Sequence, residues 1–309
     1  MNASLVLQQI LNGIMLGSMY ALVAAGFTLY FGMLDLVNFA HGEVFMLGAF
    51  VALAVHAALD ILGVFGFSTV VGVVLLILLT VVITSVLGLL MERLAIRPLR
   101  GSPLLMGLLA TVGLSIVIRE GVRIFYPRGA SPKAFPEIVS TQPFIEAGGI
   151  IIRYNVLFIL ACTLLLFFFL YLVMARTKVG AMIRATAQDT EAARMMGVNV
   201  DKAIMATFVI GSILGAMAGI LNGTYYRSTK FDVGLIMGIK GFAAAVVGGL
   251  GNVYGAIVGG FILGFGEMFG TLFIPGGTQY KDVLAFLIVI LFLIFMPSGI
   301  MGEKTFEKV

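Results

Sequence analysis

Chemistry needs particular side chains at particular spacings, and this sequence offers few. The 309 residues include 2 histidines, 1 cysteine and 15 carboxylates. His41-Gly42-Glu43 sets two metal-donor types two positions apart. A zinc site needs further ligands, and the other histidine is the distant His56, so no metal site is expected. No Ser/His/Asp or Cys/His constellation stands out for nucleophilic catalysis. The Walker A pattern G-x-x-x-x-G-K-[ST] does not occur, so the chain has no phosphate cradle of that kind. The stretch Gly248–Gly255 is glycine-rich, but Tyr254 stands where a dinucleotide fingerprint needs its third glycine, and no soluble strand precedes it. Cys162 lies in the apolar run Leu160–Leu172 and reads as an inert buried thiol; a lone cysteine excludes an internal disulfide. The expectation is a non-catalytic chain without a cofactor of its own.

The remaining chemistry is that of polar groups inside apolar segments, which are costly at membrane depth and therefore functional candidates. Asn12, with Ser18 and Tyr20, lies within the first apolar stretch. Asn38, His41 and Glu43 lie at the break that follows it. Asn222, with Tyr225 and Tyr226, closes another stretch, where the tyrosines fit an aromatic interface belt. Lys240 sits in a short apolar segment, Asn252 in the glycine-rich turn after it, and Glu267 in the next stretch. Asn38–Glu43 has a structural reading too, because unwound backbone at this depth must be satisfied by some side chain. Lys240 and Glu267 fall at similar depth if their segments run antiparallel, and a paired charge is far cheaper there than two isolated ones.

The elements carrying these residues follow from composition. Hydrophobic residues make up 61% and charged residues 11%, against about 45–50% and about 25% in soluble domains. A chain this apolar is solvated by lipid. Crossing the hydrocarbon core takes about 20 apolar residues. The candidate spans are residues 6–30, 44–62, 68–91, 104–124, 155–175, 203–226, 256–273 and 282–301. A ninth stretch, 235–249, is short and glycine-rich, and reads as a broken span or re-entrant half-helix; Met33–Gly42 is a second candidate for unwound backbone. The fold class is an all-α polytopic transmembrane bundle of about eight spans with one or more broken or re-entrant segments, in a single domain over 1–309. Residues 1–10 lack a basic n-region, so the first stretch reads as a span and not a cleaved leader.

Lys and Arg in short loops mark the cytoplasmic side. Loops 92–103 and 176–202 are placed inside, as is the tail 302–309 with Lys304 and Lys308. The N-terminus is placed outside, and the loop 125–154 is extracytoplasmic. Opposite ends require an odd number of crossings, so 235–249 must also cross. The net charge of +4 is dispersed over loops and is no nucleic-acid signal. Glycines recur every four residues at 211, 215, 219 and 223, and again at 251, 255 and 259, followed by 260 and 264. Such spacing lets backbones approach closely, within one subunit or between two. Within 179–202, Met182, Ile183, Ala185, Ala192, Met195 and Met196 supply the apolar stripe of a short amphipathic helix, with Gly197 as its stop.

Glu191-Ala192-Ala193, with Gly197 after it, resembles the EAA coupling loop of permeases in ATP-binding-cassette (ABC) importers. The stretches LNGIMLGSMYALVAAGFTLYFGM, NFAHGEVFMLGAF, ERLAIRPLRGSP, GIKGFAAAVVGGLGNVYGAIVGG and MPSGIMG resemble the LivH-type permeases of branched-chain amino-acid importers, from about residue 6 to the C-terminus. Loop 125–154 carries no such likeness. The resemblance implies a multi-pass protein of the cytoplasmic (inner) membrane. It works with a second homologous permease, two cytoplasmic ATPase subunits that bind the ATP and magnesium, and an external substrate-binding protein. It further implies that Arg184, Glu191, Ala192, Ala193 and Gly197 couple the chain to the ATPases. Two roles remain for Glu267: pairing with Lys240, or facing the pathway to meet a substrate ammonium. Other cargoes (urea, amides, other amino acids), an ion-coupled secondary transporter and a structural scaffold are the alternatives.

Overall fold

The computed structural model describes residues 3–147, 149–274 and 279–302. The tail residues Lys304 and Lys308 lie outside the described residues. The chain folds into α1 (Ala3–Leu34), α2 (His41–Ile61), α3 (Val64–Phe67), α4 (Thr69–Met91), α5 (Leu104–Phe125), α6 (Tyr154–Arg176), α7 (Lys178–Gln188), α8 (Thr190–Met195), α9 (Val200–Tyr226), α10 (Val233–Gly248), α11 (Val253–Phe273) and α12 (Lys281–Phe295). The loop between α5 and α6 carries β1 (Lys133–Ala134), β2 (Pro143–Ala147) and β3 (Ile150–Arg153), and β4 (Ser228–Thr229) follows α9. β1 pairs antiparallel with β4, and β2 with β3.

Among the described residues, seven helices are long and apolar enough to cross a membrane. Two expectations shift. The stretch 235–249 is one continuous helix, α10, of 16 residues, about 24 Å at 1.5 Å per residue. The stretch 282–301 is helical only to Phe295, because Pro297 and Gly299 turn the chain.

α1 and α9 form the axis of the bundle and are enclosed almost all round, whereas α4, α5 and α6 present most of their surface outward. An exposed apolar surface of this extent suits lipid. α1 packs antiparallel on α11, where a Cβ at Gly264 would run into the Gly17 backbone and one at Gly260 into Ala21. α2 runs parallel to α9, with Gly215 against His41 and Val44 and Gly219 against Phe45 and Ala49. The four-residue glycine rows thus serve contacts inside this chain: Gly211 receives Tyr30, Gly215 receives His41 and Val44, and Gly223 receives Phe135. Backbone approach of this kind replaces the hydrophobic driving force that lipid removes.

The contact order fixes direction. α1, α10 and α12 run one way, and α2, α5, α9 and α11 the other. The α4–α5 linker and the start of α9 meet at one end, where Asp201 takes Arg97 at 3.1 Å and Arg100 at 2.6 Å, and Arg100 also pairs with the buried Glu92. The same end holds α7 and α8. At the opposite end the α5–α6 loop is more than a solvated connection. It buries Phe135 and Ile138 against the end of α9, and Glu137 pairs with Arg227 at 3.2 Å.

Candidate functional site

α2 does not start at the surface. His41 Nε2 lies 3.2 Å from the carbonyl of Val23, in the middle of α1, roughly 16 Å from the end of α1 at Leu34 at 1.5 Å per residue. The chain therefore leaves α1, bends at Asp35 in a left-handed conformation (φ 49°), and doubles back into the bundle over residues 35–40 before α2 begins. This is the unwound segment expected of Met33–Gly42, confined to six residues by the helices on either side. Asn38 holds the turn: its Oδ1 accepts from the Ala40 amide at 3.2 Å and its carbonyl from the His41 amide at 3.0 Å. His41 is wedged between Phe27 and Tyr30, edge to face at 4.9 and 5.0 Å, and Gly26 leaves the space its ring fills.

Two residues further, Glu43 lies fully buried between two other helices. Its Oε1 accepts from Ser115 Oγ on α5 at 3.0 Å. Its Oε2 has no hydrogen-bond partner among the described residues and rests against Gly234, at the start of α10. α10 reaches that position because glycines face each other: a Cβ on Gly42 would sit 2.7 Å from the Gly238 Cα. Thr111, one turn before Ser115 on α5, accepts from the Phe39 amide at 3.3 Å.

A second polar cluster lies on the other side of α10. Lys240 Nζ reaches Glu267 Oε2 on α11 at 2.8 Å, Asp282 Oδ1 at the start of α12 at 2.7 Å, and the Tyr20 hydroxyl of α1 at 3.0 Å. Tyr20 donates to Glu267 at 2.8 Å. Lys240 and Glu267 are 2% and 1% exposed, and Asp282 is 47% exposed. Four helices are thus pinned through one ammonium group. Asn222 donates to the Met19 sulfur at 3.7 Å and Asn12 to Gln9 at 3.2 Å, each apart from both clusters.

The third arrangement lies at the α7–α8 end. The expected single amphipathic helix is two, broken at Asp189, whose extended backbone ends α7 and whose carboxylate accepts from the Glu191 and Ala192 amides to start α8. Gly197 (φ 80°) closes α8 by a paired motif: its amide donates to Arg194 and that of Val198 to Ala193. Ala193 is buried, Glu191 and Ala192 are exposed, and Met195 and Met196 stand 88% and 84% exposed instead of packing on this chain. Arg184, on α7, lines a cavity of about 1580 Å3 together with Asp35, Gly251, Asn252 and Ser298. Asn252 caps α11 through its Oδ1 and donates to the Met301 carbonyl at 3.0 Å. Alongside it, the Ile300 and Met301 amides donate to the last carbonyls of α10, Val247 and Gly248, at 3.0 and 2.9 Å, which satisfies groups every helix C-terminus leaves open.

Seven of the predicted residues fall in three places, while Asn12 and Asn222 stand apart and Glu191, Ala192, Ala193 and Gly197 lie on or just after α8. Asn38, His41 and Glu43 meet at the start of α2; Lys240 and Glu267 meet on α11; Arg184 and Asn252 share a cavity wall with Asp35. Thr111, Ser115 and Asp282 were not singled out by sequence. The two hydroxyls recur at helical spacing with Arg119, a polar row in an otherwise apolar helix, and that row is the signal that could have found them. Among the described residues there is no group of three or more His, Cys, Asp or Glu side chains that could hold a metal ion.

The family model described as branched-chain amino acid transport system / permease component matches residues 9–293. The chain is 39% identical over 307 residues to the high-affinity branched-chain amino acid transport system permease protein BraD of Pseudomonas aeruginosa, covering 98% of both chains. It is 37% identical over 316 residues to the permease protein LivH of Escherichia coli K12, described in the same words, covering 98% of this chain and 97% of that one. A probable branched-chain amino acid transport permease protein LivH of Methanocaldococcus jannaschii is 29% identical over 96% of this chain and 92% of its own. No solved structure matches.

Proposed function

Since the chain belongs to the family of branched-chain amino acid transport system permease components, we propose that it is the membrane-spanning permease subunit of an ABC importer that moves aliphatic amino acids into the cell. The observation that carries this reading is similarity over the whole length of both chains to permease proteins of branched-chain amino acid transport systems. The permease itself is non-catalytic. ATP is bound and hydrolysed with magnesium on two cytoplasmic ATPase subunits, an external binding protein delivers the cargo, and a second homologous permease completes the pathway in the cytoplasmic membrane.

The geometry supports a division of labour. α8 is capped at both ends and projects Met195 and Met196 from the chain, as a short helix seated in a partner's groove must. It is joined to the bundle by α7, whose Arg184 lines the cavity together with Asp35 and the α10–α11 turn. Motion of the ATPases is delivered at Glu191–Gly197 and passed through Arg184 to the ends of α1 and α10. The pathway lies beside the start of α2, where Asn38, His41 and Glu43 stand at mid-depth; Asn222, Lys240, Asn252 and Glu267 hold the helices that shape it, and Asn12 lies further along α1 towards its start.

The test is the energy source. The importer assembled from all its subunits in proteoliposomes is expected to take up leucine only with ATP inside the compartment that holds the ATPases. Uptake that continues without ATP and collapses with the proton gradient would make the chain an ion-coupled transporter instead.

A further inference from the structure

The start of α2 is approached from two sides by helices of contrasting character, and Glu43 gives one oxygen to each. On one side α5 sets Thr111, Ser115 and Arg119 at helical spacing, with Ser115 on Glu43 Oε1. The Arg119 side chain is 20% exposed, and its only carboxylate contact among the described residues is Glu120, at 3.8 Å. On the other side α10 places Gly234 against Oε2. Its N-cap residue, Asp232, makes no capping hydrogen bond. From there Leu235, Ile239 and Phe242 follow on one face. Leu235 and Ile239 are 44% and 38% exposed, and Phe242 packs at 6.0 Å against Phe39, whose amide Thr111 holds. A polar wall and an aliphatic wall thus flank a floor made by α2.

A buried carboxylate with one hydrogen bond and one empty oxygen is not a stable resting arrangement for an ion at this depth. A cation reaching Oε2 would supply the partner that this oxygen lacks among the described residues. Arg119 and Asp232, the charges acting on Glu43 from α5 and α10, are of opposite sign on opposite walls.

We propose that the seam between α5 and α10 is a recognition site for a zwitterionic aliphatic α-amino acid. Glu43, with Asp232, takes the ammonium group; Arg119 takes the carboxylate; Leu235, Ile239 and Phe242 take the side chain. Ser115 is a positioning residue that holds the Glu43 carboxylate. The seam opens when α10 draws away from α2 at the Gly42–Gly238 contact and closes again when it returns. This inference rests on the reading of the chain as an amino-acid permease.

The complete importer in proteoliposomes, supplied with leucine, tests it. E43Q is expected to assemble and to hydrolyse ATP in response to loaded binding protein, while leucine moved per ATP falls by roughly 30-fold or more, as loss of one buried charge partner predicts. E43D retains more transport than E43Q, and R119K more than R119A. In a C162A background, S115C is expected to react during turnover with a small ammonium-bearing thiosulfonate, and leucine is expected to slow that reaction. E43Q with a wild-type leucine-to-ATP ratio overturns the proposal. If E43Q does not assemble, S115C decides, and labelling that is absent or indifferent to leucine overturns it. Wild-type importer that moves no amino acid with ATP strikes the permease reading itself, a result separable from normal coupling in E43Q.

Discussion

Lys240 is the buried charge on which four helices converge. Its ammonium hydrogen-bonds to Glu267 and Tyr20 and is in ionic contact with Asp282. Replacing it by methionine leaves a carboxylate buried with only a tyrosine hydroxyl, and breaking such a pair costs about 3–5 kcal/mol. K240M is expected to lower the thermal unfolding midpoint of the purified protein sharply, and K240M/E267Q to recover part of the loss. A single variant as stable as the wild type would show that the cluster carries no stability. D282N should cost far less, because half of Asp282 is open to solvent. The Lys240–Glu267 contact was readable because two lone charges in neighbouring antiparallel apolar segments have few other partners. Asp282 was not, since a carboxylate at the edge of the next span looks like a loop residue until the chain is folded. Thr111 and Ser115 were missed for a simpler reason: a hydroxyl costs little in an apolar helix and raises no flag.

Elements are held by small residues where lipid gives no hydrophobic push. G264L forces α11 away from Gly17, and overpacking of this kind costs about 1–3 kcal/mol. It should lower the unfolding midpoint, whereas G113A, at a position with open space around it, should not. Equal effects from both would mean that the α1–α11 contact is not close-packed. The clasp between the α5–α6 loop and α9 has a pH signature. Hydrogen bonds from the Thr141 backbone and hydroxyl, and then Arg227, hold the Glu137 carboxyl below its ordinary value. A depressed carboxyl keeps its contacts at neutral pH and loses them only as pH falls through the lowered value. Amide exchange protection of residues 133–138 should therefore persist in mild acid; its loss in the ordinary carboxylate range would contradict the pairing. Helix identity and most helix boundaries were legible, because apolar runs of span length leave one solution in lipid. The break at Asp189 was hidden, since Asp189 sits within a pattern that continues in phase on either side. The entry of α2 at mid-depth was hidden too, because depth is set by packing between His41 and Val23, far apart in sequence.

On the scale of the whole molecule, a bundle with no nucleotide motif presents the exposed pair Met195 and Met196 on and just after α8. M195E/M196E is expected to fold, because both side chains are exposed, but to lose most co-purification with the proposed ATPase partners. Undiminished co-purification would move the docking surface elsewhere. G197V should weaken the same contact by straining the left-handed turn that ends α8. The amides of Ile300 and Met301 close the end of α10 from more than fifty positions downstream. A ribosome delivers α10 long before it delivers its cap. During synthesis the α10–α11 turn must therefore wait, its carbonyls open to water or to lipid headgroups, until the final hairpin of the chain threads back. Maturation of the cavity wall is thus a late event in biogenesis, and a chain stopped after Phe295 would reach the membrane with the bundle inserted and that wall unfinished.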